Sequence, residues 1–289
     1  MAALRVVRSV TALRRALEDE RLSGQRIGFV PTMGALHAGH ASLVQHATQV
    51  SDVVVSSIFV NPLQFGPKED LAHYPRTPEA DMALLEAAGC RVLFLPEVSE
   101  VYPQGFCTTV HLPGLSEVLC GRSRPGHFSG VLTVVLKLLN MVQPDVACFG
   151  RKDFQQALLI ARMVRDFNLP VQVEVCPTLR EADGLAMSSR NRYLSAEERV
   201  AAPALRAAVL AMDAAFRAGE RAAAPLLALG RARIATVPRF ALDYLELRDP
   251  QDLSERDGAV KQGDLVAVAA QLGSARLIDN GLLGTEEAP

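Results

Sequence analysis

Tryptophan is absent from this 289-residue sequence, and with four tyrosines and eleven phenylalanines aromatic side chains make up only 5% of it. Nor is there an excess of charge of either sign: 30 basic residues stand against 32 acidic ones, a formal net charge of −2. A nucleic-acid face needs a basic footprint, commonly interleaved with aromatics, and neither is present; DNA and RNA are excluded as partners. No apolar run approaches the length that spans a bilayer, which excludes a membrane-inserted segment. The five cysteines, Cys90, Cys107, Cys120, Cys148 and Cys176, form no C-x-x-C pair and have no histidine at structural-zinc spacing. They read as buried thiols in a reducing compartment, hence a cytoplasmic protein. The sequence has no internal repeat. Its hydrophobic share of 49% against 21% charged supplies ample material for a core. The opening MAALRVVRSVTALRRALEDE is rich in arginine, as transit peptides are, but Glu18, Asp19 and Glu20 and the Val10, Leu13, Leu17 stripe fit an ordinary amphipathic helix.

A chain of this length exceeds the usual single core, and its character changes near Leu179. Before that point, short β-branched runs alternate with helical patterns. Strands are predicted at 26–30, 52–59, 91–95, 146–149 and 171–176, with helices from Gly39 to about Ser51 and at 78–88, 128–142 and 154–167. That alternation builds a parallel α/β sheet, which places ligands beyond the carboxyl ends of its strands. After Leu179, an alanine-rich helical stretch from Ser195 to Ala235 precedes strands near 242–247 and 265–270. The expected organisation is therefore a nucleotide- and substrate-binding domain over 1–178 and a smaller α+β domain over 179–289. The glycine- and proline-rich segment from Pro103 to Gly126 reads as turns in preference to a lid.

Chemistry concentrates just after the predicted strands. Pro31-Thr-Met-Gly-Ala-Leu-His37-Ala-Gly-His40 follows the first and opens a helix. Its H-x-G-H puts two imidazoles one turn apart at a helix N-terminus, where backbone N–H groups and the dipole attract phosphate. Imidazoles there can donate to phosphate oxygens as charge builds up during phosphoryl transfer. The plain alternative is a turn with a histidine cap and a second histidine on the surface. The next strand ends in Phe59-Val-Asn61-Pro62-Leu-Gln64-Phe65. These amides suit a polar, uncharged part of a substrate, although Asn61 before Pro62 is also an ordinary turn. Gly150-Arg151-Lys152-Asp153-Phe154-Gln155-Gln156 offers Lys152 as counter-charge to phosphates, and Gly150 permits close backbone approach; Asp153 and Gln156 also have the spacing of a helix capping box. Met187-Ser188-Ser189-Arg190 supplies two hydroxyls and a guanidinium, the donors a triphosphate tail needs.

PTMGALHAGH, FVNPLQF, FGRKDFQQ and READGLAMSSRNRYL, in this order and at these separations, resemble the pantoate–β-alanine ligase family; RPGHF, LNMVQPD and LIDN add smaller matches. The resemblance runs from about residue 5 to 280. It implies a Rossmann-like doubly wound parallel sheet of the nucleotidyltransferase type and a smaller C-terminal α+β domain that closes over the site. It also implies a reaction in which ATP and pantoate give a pantoyl adenylate, which β-alanine then opens to pantothenate and AMP. Family ATP contacts map to Met33, Gly34, Ala35, Leu36, His37, Ala38, Gly39 and His40, to Gly150, Arg151, Lys152 and Asp153, to the backbone of Leu179, and to Met187, Ser188, Ser189 and Arg190. His40 takes the place of the proton donor, and His37, Lys152, Ser189 and Arg190 complete the catalytic set. Pantoate maps to Gln64 and Gln156, and β-alanine to Gln64 and Asn61. A homodimer is implied, and so is Mg²⁺ accompanying ATP. Asp81 is the single carboxylate candidate for that metal, with a solvated helix carboxylate as the preferred reading. Two positions depart from the family pattern: Arg151 stands where glutamate is expected, and Ser129 where several relatives carry arginine. The competing expectations are another H-x-G-H nucleotidyltransferase, or a nucleotide sensor that binds without turnover.

Overall fold

The computed structural model describes residues 3–67, 69 and 71–286. In chain order its elements begin with β1 (Arg5–Val7), α1 (Val10–Ala16), α2 (Glu18–Leu22), β2 (Ile27–Thr32), α3 (Ala38–Val50) and β3 (Val53–Ile58). There follow α4 (Pro78–Ala87), β4 (Val92–Phe94), α5 (Val98–Val101), α6 (Cys120–Ser123), α7 (His127–Val142), β5 (Val146–Gly150), α8 (Phe154–Asp166) and β6 (Gln172–Cys176). The remainder is α9 (Ala196–Ala201), α10 (Ala204–Arg217), α11 (Ala223–Ala235), β7 (Phe240–Arg248), β8 (Leu265–Leu272) and β9 (Ala275–Leu282). The chain divides into two compact units, the first of Met1–Glu117, Arg124–Arg151 and Gln155–Cys176, the second of Val118–Ser123, Lys152–Phe154 and Pro177–Pro289.

In the first unit, six parallel strands lie in the order β1-β4-β3-β2-β5-β6. The chain leaves β2 toward β3 and β4 on one side and returns to β5 on the other, so the order reverses between β2 and β5. The carboxyl ends at such a reversal diverge and leave a crevice for ligands. Here they deliver Thr32, the start of the PTMGALHAGH turn, and Gly150. β5 pairs with β2 only at Gly28 and Phe29, while β2 continues alongside β3 as far as Thr32. The central strands are apolar because both faces are covered: Phe29, Val30, Val53 and Val55 are fully buried, and one face joins α3 and α4 through Leu36, Val44, Ala47 and Leu85.

The second unit is an antiparallel sheet, β7-β8-β9, against α10 and α11. α10 turns Leu205, Ala208, Val209, Met212 and Phe216 into this core at helical spacing. β8 is buried along nearly its whole length, as the middle strand of a covered sheet must be.

Several expectations change. The N-terminal segment is not one helix: residues 5–7 pair with β4 as an edge strand, and the Leu13 and Leu17 stripe is shared between two short helices. The alanine-rich stretch is three helices, because Pro203 opens α10 and Gly219, at φ 111°, follows its end. β9 carries LIDN and was not expected as a strand. The cysteines are not all buried, since Cys107 is exposed and Cys120 is partly so. Among the described residues no helix is long and apolar enough to cross a membrane.

α7 packs so closely on the 3₁₀ turn Pro62–Gln64 that a Cβ on Gly130 would stand 2.2 Å from the Leu63 carbonyl oxygen. Glycine to alanine inside a helix ordinarily stabilises by up to about 1 kcal/mol. Gly130→Ala is instead expected to destabilise by about 1–3 kcal/mol through overpacking. Gly150→Ala, whose Cβ meets nothing within 4 Å, is expected to leave the urea midpoint near the wild-type value. Equal midpoints for all three proteins would refute the close contact.

Candidate active site

The PTMGALHAGH turn is held from four directions. Thr32, at the end of β2, donates its hydroxyl to the Ser57 carbonyl (2.7 Å) and accepts from the Gly34 amide (3.3 Å), which closes the turn onto β3. Gly34 and Ala35 then both take positive φ, 82° and 51°. Glycine does so freely, but for Ala35 the conformation costs about 1–2 kcal/mol. Asp81, from the first turn of α4, offsets this: its Oδ2 accepts from the Ala35 amide at 2.9 Å and its Oδ1 from Leu36 at 2.8 Å. Hydrogen bonds to a charged group contribute about 1.5–3 kcal/mol each, more than the strain. The Leu36 side chain sinks into the core on the far side.

The fourth restraint comes from the histidines. His37 is the N-cap of α3, and its Nδ1 accepts from the Gly39 amide at 3.2 Å; His40 Nδ1 accepts from the His37 amide at 3.3 Å. The two rings lie 4.1 Å apart, tilted by 43°. A neutral imidazole that accepts at Nδ1 carries its proton on Nε2. Both rings are therefore Nε2–H donors fixed at a helix N-terminus, beside N–H groups that have no partner within the helix. The capping reading of H-x-G-H describes the observed arrangement, which also leaves both rings at the helix N-terminus, and His40 is half-buried, not a surface residue.

Asp81 corrects the expectation of a solvated helix carboxylate. It is 2% exposed, and Thr77 donates a third hydrogen bond to it at 3.0 Å. Both oxygens are committed to organising the turn, so it does not fit a metal ligand.

Asn61 and Gln64 meet the same turn. Asn61 caps the 3₁₀ turn by accepting from the Leu63 amide at 3.2 Å, and donates to the Gly130 carbonyl at 3.0 Å and to Gln64 Oε1 at 3.1 Å. Gln64 in turn donates to the Met33 sulfur at 2.8 Å. Tyr102 donates to Asn61 Oδ1 at 2.8 Å, and burial pushes its phenol well above the ordinary value, keeping it a donor. The RPGHF segment supports the backbone, since His127 Nδ1 lies 2.8 Å and Arg124 Nη2 3.4 Å from the Gln64 carbonyl. Arg124 also grips Glu69 with two hydrogen bonds of 2.7 and 2.6 Å. Burial alone would raise the Glu69 carboxyl, but this pairing with Arg124 holds it below its usual range. Gly150 and Arg151 stand at the end of β5, and Gln156 is half-buried in the first turn of α8.

The second unit carries the other candidates. Lys152 faces Asp153 at 3.8 Å, and Asn280 of β9 donates to the Lys152 carbonyl at 2.8 Å. Residues 179–187 form a hairpin in which the Met187 amide donates to the Leu179 carbonyl at 3.0 Å. Arg180 ties that hairpin to β9 through two bonds to the buried Asp279, at 2.8 and 3.0 Å. Ser188 then caps a 3₁₀ turn, its hydroxyl accepting from the Arg190 amide at 3.2 Å, with Ser189 buried beneath. LIDN thus holds both the Lys152 carbonyl and the 179–187 hairpin that leads into the serine segment. Sequence reasoning missed the roles of Asp279 and Asn280, because a carboxylate and an amide on an unrecognised strand give no local signal.

Asp81→Asn would turn an amide donor toward the turn's own N–H groups. It is expected to lower stability by about 1–3 kcal/mol in urea unfolding, and an unchanged midpoint would show that the turn does not depend on this carboxylate.

A sequence model of the family described as pantoate-beta-alanine ligase matches residues 5–282. A pantothenate synthetase of Pseudomonas aeruginosa is 55% identical over 280 residues, covering 96% of this chain and 98% of the relative; one of Herpetosiphon aurantiacus is 50% identical over 277, covering 96% and 99%. Among solved structures, the pantothenate synthetase of Thermus thermophilus superposes with a TM-score of 0.92 at 48% identity, covering 96% of this chain and 99% of that one. The pantoate-beta-alanine ligase of Francisella tularensis, complexed with beta-gamma ATP and beta-alanine, gives 0.79 at 33%, covering 99% and 100%. With a family match over nearly its whole length and a two-unit architecture to go with it, this chain belongs to the pantoate–β-alanine ligase family.

Proposed function

We propose that the chain condenses (R)-pantoate with β-alanine at the cost of ATP, through a bound pantoyl adenylate, releasing pyrophosphate and then AMP. The observation that carries this reading is the H-x-G-H box: two imidazoles whose Nδ1 atoms are committed to backbone amides, and whose Nε2–H groups are fixed at a helix N-terminus on the switch point of a parallel sheet. Family membership supplies the substrates, and the Francisella relative was crystallised with a form of ATP and with β-alanine.

A carboxylate is a poor electrophile toward an amine at neutral pH, so the acid must first acquire a leaving group. In the proposed first step a pantoate carboxylate oxygen attacks the α-phosphorus of ATP and the bond to pyrophosphate breaks. Negative charge spreads over the phosphoryl oxygens, and His37, His40, Lys152, Ser189 and Arg190 are the donors assigned to stabilise it. Met33 through His40, Gly150 through Asp153, the Leu179 backbone, and Met187 through Arg190 are assigned to the nucleotide. Gln64 and Gln156 are assigned to pantoate. In the second step the β-alanine amine, oriented by Asn61 and Gln64, attacks the acyl carbon; the carbon–oxygen bond to AMP breaks, and the amine's proton passes to the departing phosphate or to solvent. Gln64 suits its place because Asn61 and Met33 fix its amide. Mg²⁺ would accompany ATP and neutralise charge on its phosphates; Asp81, committed to the turn, would not hold it. The same reading includes a homodimer in the cytoplasm and a second unit that closes over the adenylate to exclude water.

The test is pantoate-dependent exchange of labelled pyrophosphate into ATP with β-alanine left out. Exchange that requires pantoate is expected; its absence despite ATP binding would favour a nucleotide sensor or a different nucleotidyl acceptor. Gln64→Ala is expected to raise the pantoate KM by about 10-fold or more, the effect of losing one or two hydrogen bonds, with a much smaller change in the ATP KM.

A further inference from the structure

Away from the catalytic residues, one face of the first unit assembles a soft ligand set that local sequence spacing conceals. His46 lies in the third turn of α3, Cys148 in β5 and Cys176 at the end of β6, and one ligand atom from each lies within 4.8 Å of the others. The strand register explains the meeting: Cys148 pairs with Glu174, and Gly150 with Cys176, so Cys148, Glu174 and Cys176 share a face, and α3 packs on β5. Cys148 is 1% and Cys176 5% exposed. The independent sign is His46 Nε2, a buried ring nitrogen with no hydrogen-bond partner. It lies 3.8 Å from Glu174 Oε2, too far to be satisfied by it. Glu174 is itself steadied, since Gln172 donates to its other oxygen at 2.5 Å and Arg26 donates to Gln172 at 2.8 Å.

We propose that His46 Nε2, Cys148 Sγ and Cys176 Sγ bind one borderline divalent cation, Zn²⁺ by chemical class, with Glu174 or a water as fourth ligand. Tetrahedral zinc takes sulfur at about 2.3 Å and imidazole nitrogen at about 2.0–2.1 Å, which sets ligand atoms roughly 3.5–3.8 Å apart. The present spread closes to that by shifts of about 1 Å or less. Two thiolates and an imidazole favour zinc, cobalt or cadmium over magnesium, so the site is separate from the ion that travels with ATP. A bound cation would join the helix that begins with His37 and His40 to the strand that ends at Gly150. It would also give the unsatisfied imidazole nitrogen a partner.

The full-length protein, kept reduced with a phosphine, is loaded with Zn²⁺ or Co²⁺, desalted and assayed for metal content and absorption. About one metal per chain is expected, with a thiolate-to-cobalt charge-transfer band in the near ultraviolet. Cys148→Ser and Cys176→Ser should each weaken that band. His46→Gln, at a half-exposed helix position that does not endanger folding, should lower Zn²⁺ affinity at least 10-fold, and Cys107→Ser should change nothing. Failure to retain metal, a cobalt spectrum without the thiolate band, or His46→Gln binding Zn²⁺ as tightly as wild type would overturn the proposal.

Discussion

One carboxylate organises the candidate site. Asp81 reaches from α4 to the amides of Ala35 and Leu36, and without it a turn with two successive positive-φ residues would lack the bonds that outweigh its strain. From that fixed turn the rest follows in order. Leu36 is anchored in the core, His37 enters α3 as its cap, and His40 returns to the His37 amide. Fixing the imidazoles through Nδ1 decides which nitrogen of each ring carries the donor. Electrostatic stabilisation works best with donors that need no reorganisation when charge develops, and the role proposed for these imidazoles rests on that fixed geometry.

The same logic extends to the amides and to the second unit. Gln64 is held at its side chain by Asn61 and Met33 and at its carbonyl by His127 and Arg124. Gly130 lets α7 come close enough for Asn61 to reach its carbonyl. In the second unit, β9 serves the serine hairpin through Asp279 and the lysine segment through Asn280. Several of the groups assigned to substrates are thus also supported by residues with no substrate assigned, such as Asp81, Tyr102, Arg124 and Asp279, and a loss of activity on mutation does not by itself separate the two kinds.

Much of this was legible in the sequence. β-branched runs separated by helical periods mark a parallel sheet, and the motifs after β2, β3 and β5 stand where such a sheet binds ligands. The periodic helices were placed within a residue or two. What escaped was non-local. The strand at Arg5–Val7 is three residues long, and its existence depends on the distant β4, whose Val92 pairs with Arg5. Asp81 looks like any carboxylate in the first turn of a helix; its burial depends on a turn 45 residues earlier. Asp279 and Asn280 were part of a recognised run, but their partners lie 99 and 128 residues away. The cysteine–histidine cluster has no sequence spacing at all, only a register between two strands and a helix above them.

In the proposed mechanism the turn held by Asp81 presents His40 chiefly to the transition state of nucleotidyl transfer and far less to bound ATP. The direct measurement is His40→Ala, with ATP affinity by calorimetry and pantoate-dependent pyrophosphate exchange on the same preparation. The account predicts an exchange rate lower by about 100-fold or more, the usual range for losing one preorganised donor, with ATP affinity changed by only a few-fold. Equal losses in exchange and in ATP affinity would contradict it, because the imidazole would then be serving the ground state.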